Sequence, residues 1–399
     1  MSFIAYLSFR LITFPLSFFP YSWLHALGNR LGLMIYYCYP KYRKRALSNL
    51  ALASDLELAP EAIINFAKAS LQNCMITTLE YPKLSREKEI HRLATCENPE
   101  TAEGILKTGK GVIFFCGHQA NWEILFLEGT KRMSGVAIGR SINNSYLYSW
   151  VVSIREKFGG KITPPSNALK EGLRALKNGK FFGIVGDQGM PDSGFSSLFL
   201  GRRAWTSPLP ALLSLRTGCP IIVATTRRDN GHYFIHYSDP IWPTPEKEPE
   251  ALMRTILAIF EKSIKERPNE WLWIHNRWKQ QLPGRLKKPF RQDAVCLIFP
   301  DDPTLIDSFS LIRQIYPTEF LTAFVPEKTP IQLPADIEVK RYRTIDDILI
   351  PDYRFKLVLN FTKDKRVESH FRRLSAFTVQ HLNNFNDLCQ ASGFTLTPP

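Results

Sequence analysis

Residues 111–117, GVIFFCG, are apolar at almost every position, and two similar runs follow at 181–188 (FFGIVGDQ) and 219–226 (CPIIVATT). Each run is followed by apolar residues at helical spacing. Strands that are apolar at successive positions are buried on both faces of a sheet, which is typical of α/β folds. Residues 233–240, YFIHYSDP, alternate as a more exposed strand does. The sequence therefore predicts an α/β fold with a buried mixed sheet flanked by helices.

The amino terminus carries an uncharged, aromatic-rich stretch at residues 11–29, LITFPLSFFPYSWLHALGN, and a basic cluster at 41–45. The length and the basic residues that follow it are typical of a membrane anchor with the remaining chain on the cytoplasmic side. We therefore predict a single N-terminal membrane helix within residues 1–40. Pro15 and Pro20 interrupt the stretch, which leaves an amphipathic or buried helical hairpin as the alternative.

The polar, basic segment at residues 282–291 is broken by Pro and Gly, as linkers are. Short apolar runs and a helix near 307–315 follow it, which predicts a second, smaller α/β domain. The predicted domains are thus the anchor at 1–40, a main domain at 41–283 and an accessory domain of unknown role at 284–399. The last has no G-x-G-x-x-G and no P-loop that would specify a nucleotide.

The charge balance of 51 Lys and Arg against 37 Asp and Glu gives a net charge of +14. Such a charge favours a polyanionic partner, either nucleic acid or anionic lipid. The chain has no nucleic-acid recognition motif that we can identify, and the apolar N terminus favours lipid. The seven cysteines are scattered without a C-x-x-C pair, so we expect neither a metal site nor a disulfide framework.

The chemistry is predicted by His118 and Glu123 in the segment GHQANWE, residues 117–123. On one helix, residues five apart lie about 140° out of register, so the two can meet only across a strand–helix boundary. Asn121 is a good N-cap for a helix that starts there. An imidazole and a carboxylate at the end of a buried strand suit acyl transfer to a hydroxyl, because the alcohol must lose its proton as it attacks. Cys116, inside the apolar strand, is expected to be an inert buried thiol.

This segment resembles the catalytic block of the lysophospholipid acyltransferase superfamily, and particularly of the lipid A late (lauroyl and myristoyl) acyltransferases. Further blocks resemble that family in the same order, and the resemblance covers about residues 1–283. These further blocks are residues 43–53, residues 136–162 with Arg140 and Arg155, residues 181–189 with Asp187 and Gln188, and residues 269–279, NEWLWIHNRWK.

The resemblance implies transfer of an acyl chain from an acyl carrier protein thioester to a hydroxyl of a lipid A precursor, with no cofactor. It implies His118 as general base and Glu123 as its orienting partner, at the cytoplasmic face of the bacterial inner membrane. The residues it implies for substrate binding are Asn121, Arg140, Arg155, Asp187 and Gln188. Two alternatives stay open: another glycolipid acceptor, or a catalytically silent membrane-associated binding protein.

Overall fold

The computed structural model describes residues 2–244, 248–280, 286–302, 305, 312–329 and 333–395. The chain divides into two compact units, and each unit combines separate stretches of sequence. Unit 1 comprises Met1–Tyr36, Lys68–Gln188 and Thr206–Leu272. Unit 2 comprises Tyr37–Ala67, Gly189–Trp205 and Trp273–Pro399.

Unit 1 contains a seven-stranded mixed sheet. The strands are β1 (Ala94–Cys96), β2 (Val112–Cys116), β3 (Gly135–Ile138), β4 (Lys161–Thr163), β5 (Phe181–Val185), β8 (Ile221–Asp229) and β9 (His232–Tyr237). Their order in the sheet is β1-β9-β8-β2-β5-β3-β4, and all neighbours are parallel except β8 and β9. The three predicted apolar strands are β2, β5 and β8, and the predicted α/β core is confirmed.

Helices cover both faces of this sheet. The helices of unit 1, two of which extend into unit 2, are α1 (Ser2–Thr13), α2 (Tyr21–Cys38), α4 (Pro60–Leu84), α5 (Glu100–Lys107), α6 (Trp122–Arg132), α7 (Ser145–Arg155), α8 (Ala168–Lys177), α9 (Leu209–Thr217) and α10 (Pro249–Glu266). On β2, Phe115 contacts Phe260 of α10, whereas Phe114 and Cys116 pack in one core cluster with Ile124 of α6. Every residue of β2 is buried for this reason.

The N-terminal segment differs from its prediction. Across the described residues, no helix is both long enough and apolar enough to span a bilayer, so the predicted single membrane helix is wrong. The physical reason is the pair of prolines: α1 ends at Thr13, a 3₁₀ turn covers Pro15–Phe18, and α2 starts after Pro20. Each break divides the apolar stretch before it reaches spanning length.

Unit 2 contains a parallel five-stranded sheet. Its strands are β10 (Ala294–Ile298), β11 (Phe320–Pro326), β12 (Glu338–Tyr342), β13 (Leu357–Asn360) and β14 (Thr378–His381), and their order in the sheet is β12-β11-β10-β13-β14. The unit also holds α3 (Pro40–Leu52), α11 (Ile312–Ile315), α12 (Arg366–Arg373), α13 (Phe385–Ser392), and the two-stranded sheet of β6 (Phe195–Phe199) and β7 (Arg202–Thr206), whose last residue belongs to unit 1. The predicted C-terminal α/β pattern is therefore present.

Two sequence predictions fall partly on residues outside the described ranges. Residues 281–285 include the predicted domain boundary and the start of the linker. Residues 306–311 include the first part of the helix predicted at 307–315, of which Ile312–Ile315 is helical. The three domains, at 1–40, 41–283 and 284–399, stay a prediction.

Candidate active site

The turn after β2 is packed so tightly that it requires glycine at its first position. A Cβ on Gly117 would collide with the ring of Phe260 and come within 2.9 Å of Asp187 Oδ2. Asp187 follows β5, the neighbour of β2, and the strand register pairs Cys116 with Val185. Positions two residues beyond this pair, His118 and Asp187, therefore meet at the carboxyl edge of the sheet.

Asp187 binds both the backbone and the side chain of His118. Its Oδ1 lies 2.7 Å from His118 Nδ1, and its Oδ2 accepts from the His118 backbone N–H at 2.8 Å. Trp271 Nε1 also donates to Oδ2 at 2.8 Å. The Asp187 side chain is fully buried, and 13% of the His118 side chain is exposed. With Asp187 ionised, Nδ1 carries the proton and Nε2 keeps the lone pair that a general base needs.

The backbone of this turn is paired with the tryptophan-rich segment. Leu272 donates its backbone N–H to His118 O at 3.0 Å, and Ala120 donates to Glu270 O at 2.9 Å. Ala120 has a φ of 43°, in the left-handed region that costs a non-glycine residue free energy. Its carbonyl accepts from Asn73 at 2.9 Å and from Thr77 at 3.0 Å, and these bonds hold the strained turn in place.

Asn121 starts the next helix, as its sequence context predicts. It is the N-cap of α6, and its Oδ1 accepts from the Glu123 backbone N–H at 3.1 Å. Its Nδ2 donates to Glu80 Oε2 at 2.5 Å, and the residue is fully buried. Through these contacts Asn121 places Glu123 in the first helical turn. Direct contact between Asn121 and a substrate stays a prediction.

Glu123 forms a buried, two-pronged ion pair with Arg155, the last residue of α7. Arg155 donates from Nε to Oε2 at 2.7 Å and from Nη2 to Oε1 at 2.5 Å. Nη2 also donates to the Tyr81 hydroxyl at 3.1 Å. Burial acts to raise the pKa of Glu123, but the charge and hydrogen bonds of Arg155 outweigh it, so the pKa lies below its ordinary value.

His118 and Glu123 lie at the two ends of one turn, with Trp122 touching both. The Trp122 ring meets the His118 ring edge to face at 4.6 Å, and its Nε1 donates to Glu123 Oε1 at 3.0 Å. A charge on His118 also lowers the pKa of Glu123. The hydrogen bond that His118 Nδ1 donates, however, is accepted by Asp187 and not by Glu123. The role of Glu123 as orienting partner stays a prediction, as do the substrate-binding roles assigned from sequence.

The remaining predicted residues lie at the same edge of the sheet. Arg140 is exposed on the loop that follows β3, and Gln188 is half-buried directly after Asp187. Next to Arg140, a Cβ on Gly139 would lie 3.3 Å from Arg155 Nη1, so this loop runs beside the ion pair.

Glu80 and Tyr81 on α4 also contact residues of the site, and they were not predicted from the sequence. Glu80 is fully buried and accepts from the Tyr233 hydroxyl at 2.9 Å as well as from Asn121, and it lies 2.6 Å from His25 Nε2. Burial raises the pKa of Tyr81 well above its ordinary value. The available signal was a lone carboxylate within the otherwise uncharged helical stretch MITTLEY, residues 75–81, because a buried charge needs a partner.

A small apolar cavity of about 40 Å³ lies against this site. Burial raises the pKa of the Cys116 thiol, which lines it, as expected for an inert cysteine. Its walls come from α6 and from the neighbouring strands. They are Phe114, Cys116, Trp122, Leu125, Phe126, Gly129, Ala137, Phe181, Gly183, Val185 and Tyr237.

Comparison with known proteins identifies the family. Residues 3–280 match the model of the family described as bacterial lipid A biosynthesis acyltransferase. This chain belongs to that family. The family region includes each residue of the site described above, and the resemblance seen in the sequence is confirmed.

Three members of the lipid A biosynthesis acyltransferase family show how similar this chain is to individual proteins. The Escherichia coli palmitoleoyltransferase of lipid A biosynthesis is 28% identical over 148 residues, which is 36% of this chain and 47% of that protein. The corresponding myristoyltransferase is 24% identical over 267 residues, covering 63% of this chain and 79% of the relative. The lauroyltransferase is 22% identical over 273 residues, which is 66% of this chain and 88% of that protein. The chain thus spans about half the length of the first of these relatives.

Proposed function

We propose that this protein transfers a fatty acyl chain from an acyl carrier protein thioester to a hydroxyl group of a lipid A precursor at a membrane surface. The observation that carries the proposal is the hydrogen bond between His118 Nδ1 and Asp187 Oδ1, which accepts it, at the end of a buried strand. Membership of the lipid A biosynthesis acyltransferase family supports the reaction class and the acceptor.

In the proposed reaction, His118 Nε2 takes the proton of the acceptor hydroxyl as its oxygen attacks the thioester carbonyl carbon. The resulting tetrahedral intermediate breaks its carbon–sulfur bond, and the leaving thiolate takes the proton back from the imidazolium. An ester and a free thiol are formed, and the enzyme returns to its starting state. No covalent acyl-enzyme is needed, which agrees with the inert character of Cys116.

Two charged residues assist His118 in different ways. Asp187 orients the ring through Nδ1 and favours the imidazolium that forms during the reaction. Glu123 adds negative charge close to His118, since the two interact electrostatically. The bonds that Arg155 makes to both Glu123 oxygens fix the position of that charge. Arg155 therefore acts as a positioning residue in this proposal.

The apolar cavity is the proposed site for the end of the acyl chain. Its walls include Trp122, which touches the His118 ring, so a chain that reaches the cavity would lie close to the base. A mostly apolar lining suits an acyl chain and offers little to a sugar or a phosphate.

The proposal is tested with the purified full-length protein, acyl carrier protein thioesters of several chain lengths and a lipid A precursor, analysed by mass spectrometry. We expect the precursor to gain the mass of one acyl chain. A silent binding protein would leave the precursor unchanged with every donor, which would contradict the proposal. Acylation of another glycolipid, with no acylation of the lipid A precursor, would overturn the acceptor.

A further inference from the structure

Unit 2 contains a cavity with a volume of about 320 Å³. Every residue that lines this cavity belongs to unit 2. The walls come from the end of α3, the turn that follows it, the start of α4 and the segment before β13. Voids inside folded proteins seldom exceed the size of a water molecule, whereas small-molecule sites occupy roughly 300–1,000 Å³. The volume is therefore that of a ligand site rather than of a packing defect.

The walls of the cavity are held in place by hydrogen bonds and close packing. The Ser48 hydroxyl donates to Arg354 O at 2.7 Å, which ties the segment before β13 to α3. In the turn after α3, the Glu57 backbone N–H donates to Ser54 O at 3.1 Å. Gly201, at the turn between β6 and β7, has no space for a Cβ because Ser54 Oγ packs against it. The cavity is thus preformed, which reduces the entropy lost when a ligand fills it.

The buried part of the lining is apolar. Leu50 and Ala53 at the end of α3, and Ile63 on α4, line the cavity, and each is at most 6% exposed. Tyr353 adds an aromatic ring that is half-buried. Such a lining suits the hydrocarbon part of a ligand.

Among the described residues, three charged side chains line the cavity, and two of them neutralise each other. Arg354 donates from Nε to Asp352 Oδ1 at 3.0 Å and from Nη2 to Oδ2 at 2.7 Å. Its Nη1 donates to Glu338 Oε2 at 2.5 Å, and Lys340 Nζ donates to Asp352 Oδ2 at 3.3 Å. Because the donors of Arg354 are engaged by these two carboxylates, the guanidinium offers little to an anionic ligand.

The third charged side chain, Glu57, lies at the mouth of the cavity, which is formed by the exposed residues Ser54, Glu57 and Pro351. Burial raises the pKa of Tyr353, and the negative charge of Glu61 raises it further, so the electrostatic potential at this ring favours a cation. The net charge of the chain is +14, so its overall composition does not explain an acidic mouth. A carboxylate, a hydroxyl and an aromatic ring match an ammonium group, which needs hydrogen-bond acceptors and is attracted to the face of a ring.

We propose that the cavity of unit 2 binds a small molecule that carries a primary amine on a short apolar or aromatic body. The ammonium group lies at the mouth, where the Glu57 carboxylate and the Ser54 hydroxyl accept hydrogen bonds from it. The apolar body packs on Leu50, Ala53 and Ile63. The proposal assigns a ligand to unit 2, and it does not depend on acyl transfer.

The test titrates the full-length protein with phenethylamine, phenylpropionate and phenylethanol by isothermal titration calorimetry. The three probes share an aromatic body and carry a cationic, an anionic and a neutral polar group. One variant, Glu57→Lys, reverses the charge at the mouth, and a second, Ala51→Leu, fills the cavity from α3. The matched control is Glu266→Lys, the same change at an exposed residue at the end of α10 in unit 1. Melting temperatures check that each protein is folded.

We expect the wild type and Glu266→Lys to bind phenethylamine with a Kd of about 1 mM or lower, as the affinity per atom of small ligands allows. Phenylpropionate should bind the wild type at least about tenfold more weakly, with phenylethanol between the two. Glu57→Lys should weaken the binding of phenethylamine about tenfold, because an attraction becomes a repulsion. Folded Ala51→Leu should bind none of the probes.

Three results would overturn the proposal. They are equal binding of the amine and the carboxylate by the wild type, an amine affinity that Glu57→Lys leaves unchanged, and no binding of phenethylamine at about tenfold above the expected Kd. The charge reversal lies on an exposed side chain, so Glu57→Lys decides the test even if Ala51→Leu does not fold.

The inference and the proposed function fail separately. His118→Ala should lose acyl transfer but bind phenethylamine with the wild-type Kd, because residue 118 does not line this cavity. A wild type that transfers acyl chains without binding the amine would overturn the cavity proposal alone. A wild type that binds the amine without transferring acyl chains would overturn the proposed function alone.

Discussion

Replacement of Asp187 by Asn changes the charge that orients His118 while keeping the shape of the side chain. Asp187 accepts from the His118 backbone N–H and from Trp271 Nε1 at the same oxygen, each at 2.8 Å. In the Asn variant the amide oxygen must remain with those two donors. The amide NH₂ then faces His118 Nδ1, which becomes the acceptor, so the proton moves to Nε2.

The expected magnitude follows from this change of tautomer. A histidine protonated at Nε2 cannot take a proton from the acceptor hydroxyl at that atom, so the contribution of general-base catalysis is lost. Such contributions amount to about 10²–10⁴ in rate, and we expect kcat to fall by that factor with little change in KM. The loss of a buried, charge-assisted hydrogen bond should also lower the free energy of unfolding by about 1–3 kcal/mol.

Three measurements check this prediction. Steady-state acylation gives kcat and KM, urea unfolding gives the change in stability, and ¹⁵N NMR of the imidazole reports which nitrogen carries the proton. The control is Asp192→Asn on an exposed side chain five residues later, which should match the wild type in all three. If Asp187→Asn kept the wild-type kcat and a protonated Nδ1, the proposed role of Asp187 would be refuted.

Two further predictions concern the ion pair and the cavity. Arg155→Met should lower the free energy of unfolding at neutral pH by about 3 kcal/mol, because it leaves Glu123 buried and unpaired. The pKa of Glu123 is lowered in the folded state, so the ion pair stabilises the fold at pH values above the ordinary glutamate pKa of about 4.3. This stabilisation is lost as the pH falls through the lowered pKa. Urea unfolding should therefore show a smaller difference in stability between Arg155→Met and the wild type at acidic pH than at neutral pH. Gly129→Ala should shift the preference among acyl donors towards shorter chains by roughly fourfold, because the added methyl group displaces about one methylene of the acyl chain from the cavity. The methyl group fits without a clash, since it would lie 3.9 Å from Phe181 Cζ. Competition between donors of different length measures the shift, and an unchanged preference would exclude this cavity as the acyl site.

The sequence indicated where His118 and Asp187 lie in the fold better than which side chains they contact. His118 and Asp187 each follow a recognisable apolar strand, so their position at the edge of the sheet could be predicted. Which strands are neighbours is decided by long-range packing, and only the register of Cys116 opposite Val185 brings the two side chains together. In the same way, the position of Arg155 at the end of α7 depends on how that helix packs, which local spacing does not determine.

The N-terminal helices show a second limit of the sequence. Residues 11–29 have the apolar, aromatic composition of a membrane anchor, but composition alone does not determine where a helix is interrupted. Pro15 and Pro20 decide the geometry by ending and restarting the helix. The contacts of Glu80 were also missed, because its partners on three other elements are far away in sequence.

The central claim is that His118 is the base for acyl transfer, and His118→Ala tests it most directly. The full-length variant and the wild type are incubated with an acyl carrier protein thioester and a lipid A precursor, and the masses of the products are determined by mass spectrometry. We expect the wild-type reaction to add one acyl chain, and the folded variant to add none above the uncatalysed background. Acylation by His118→Ala at the wild-type rate would contradict the account.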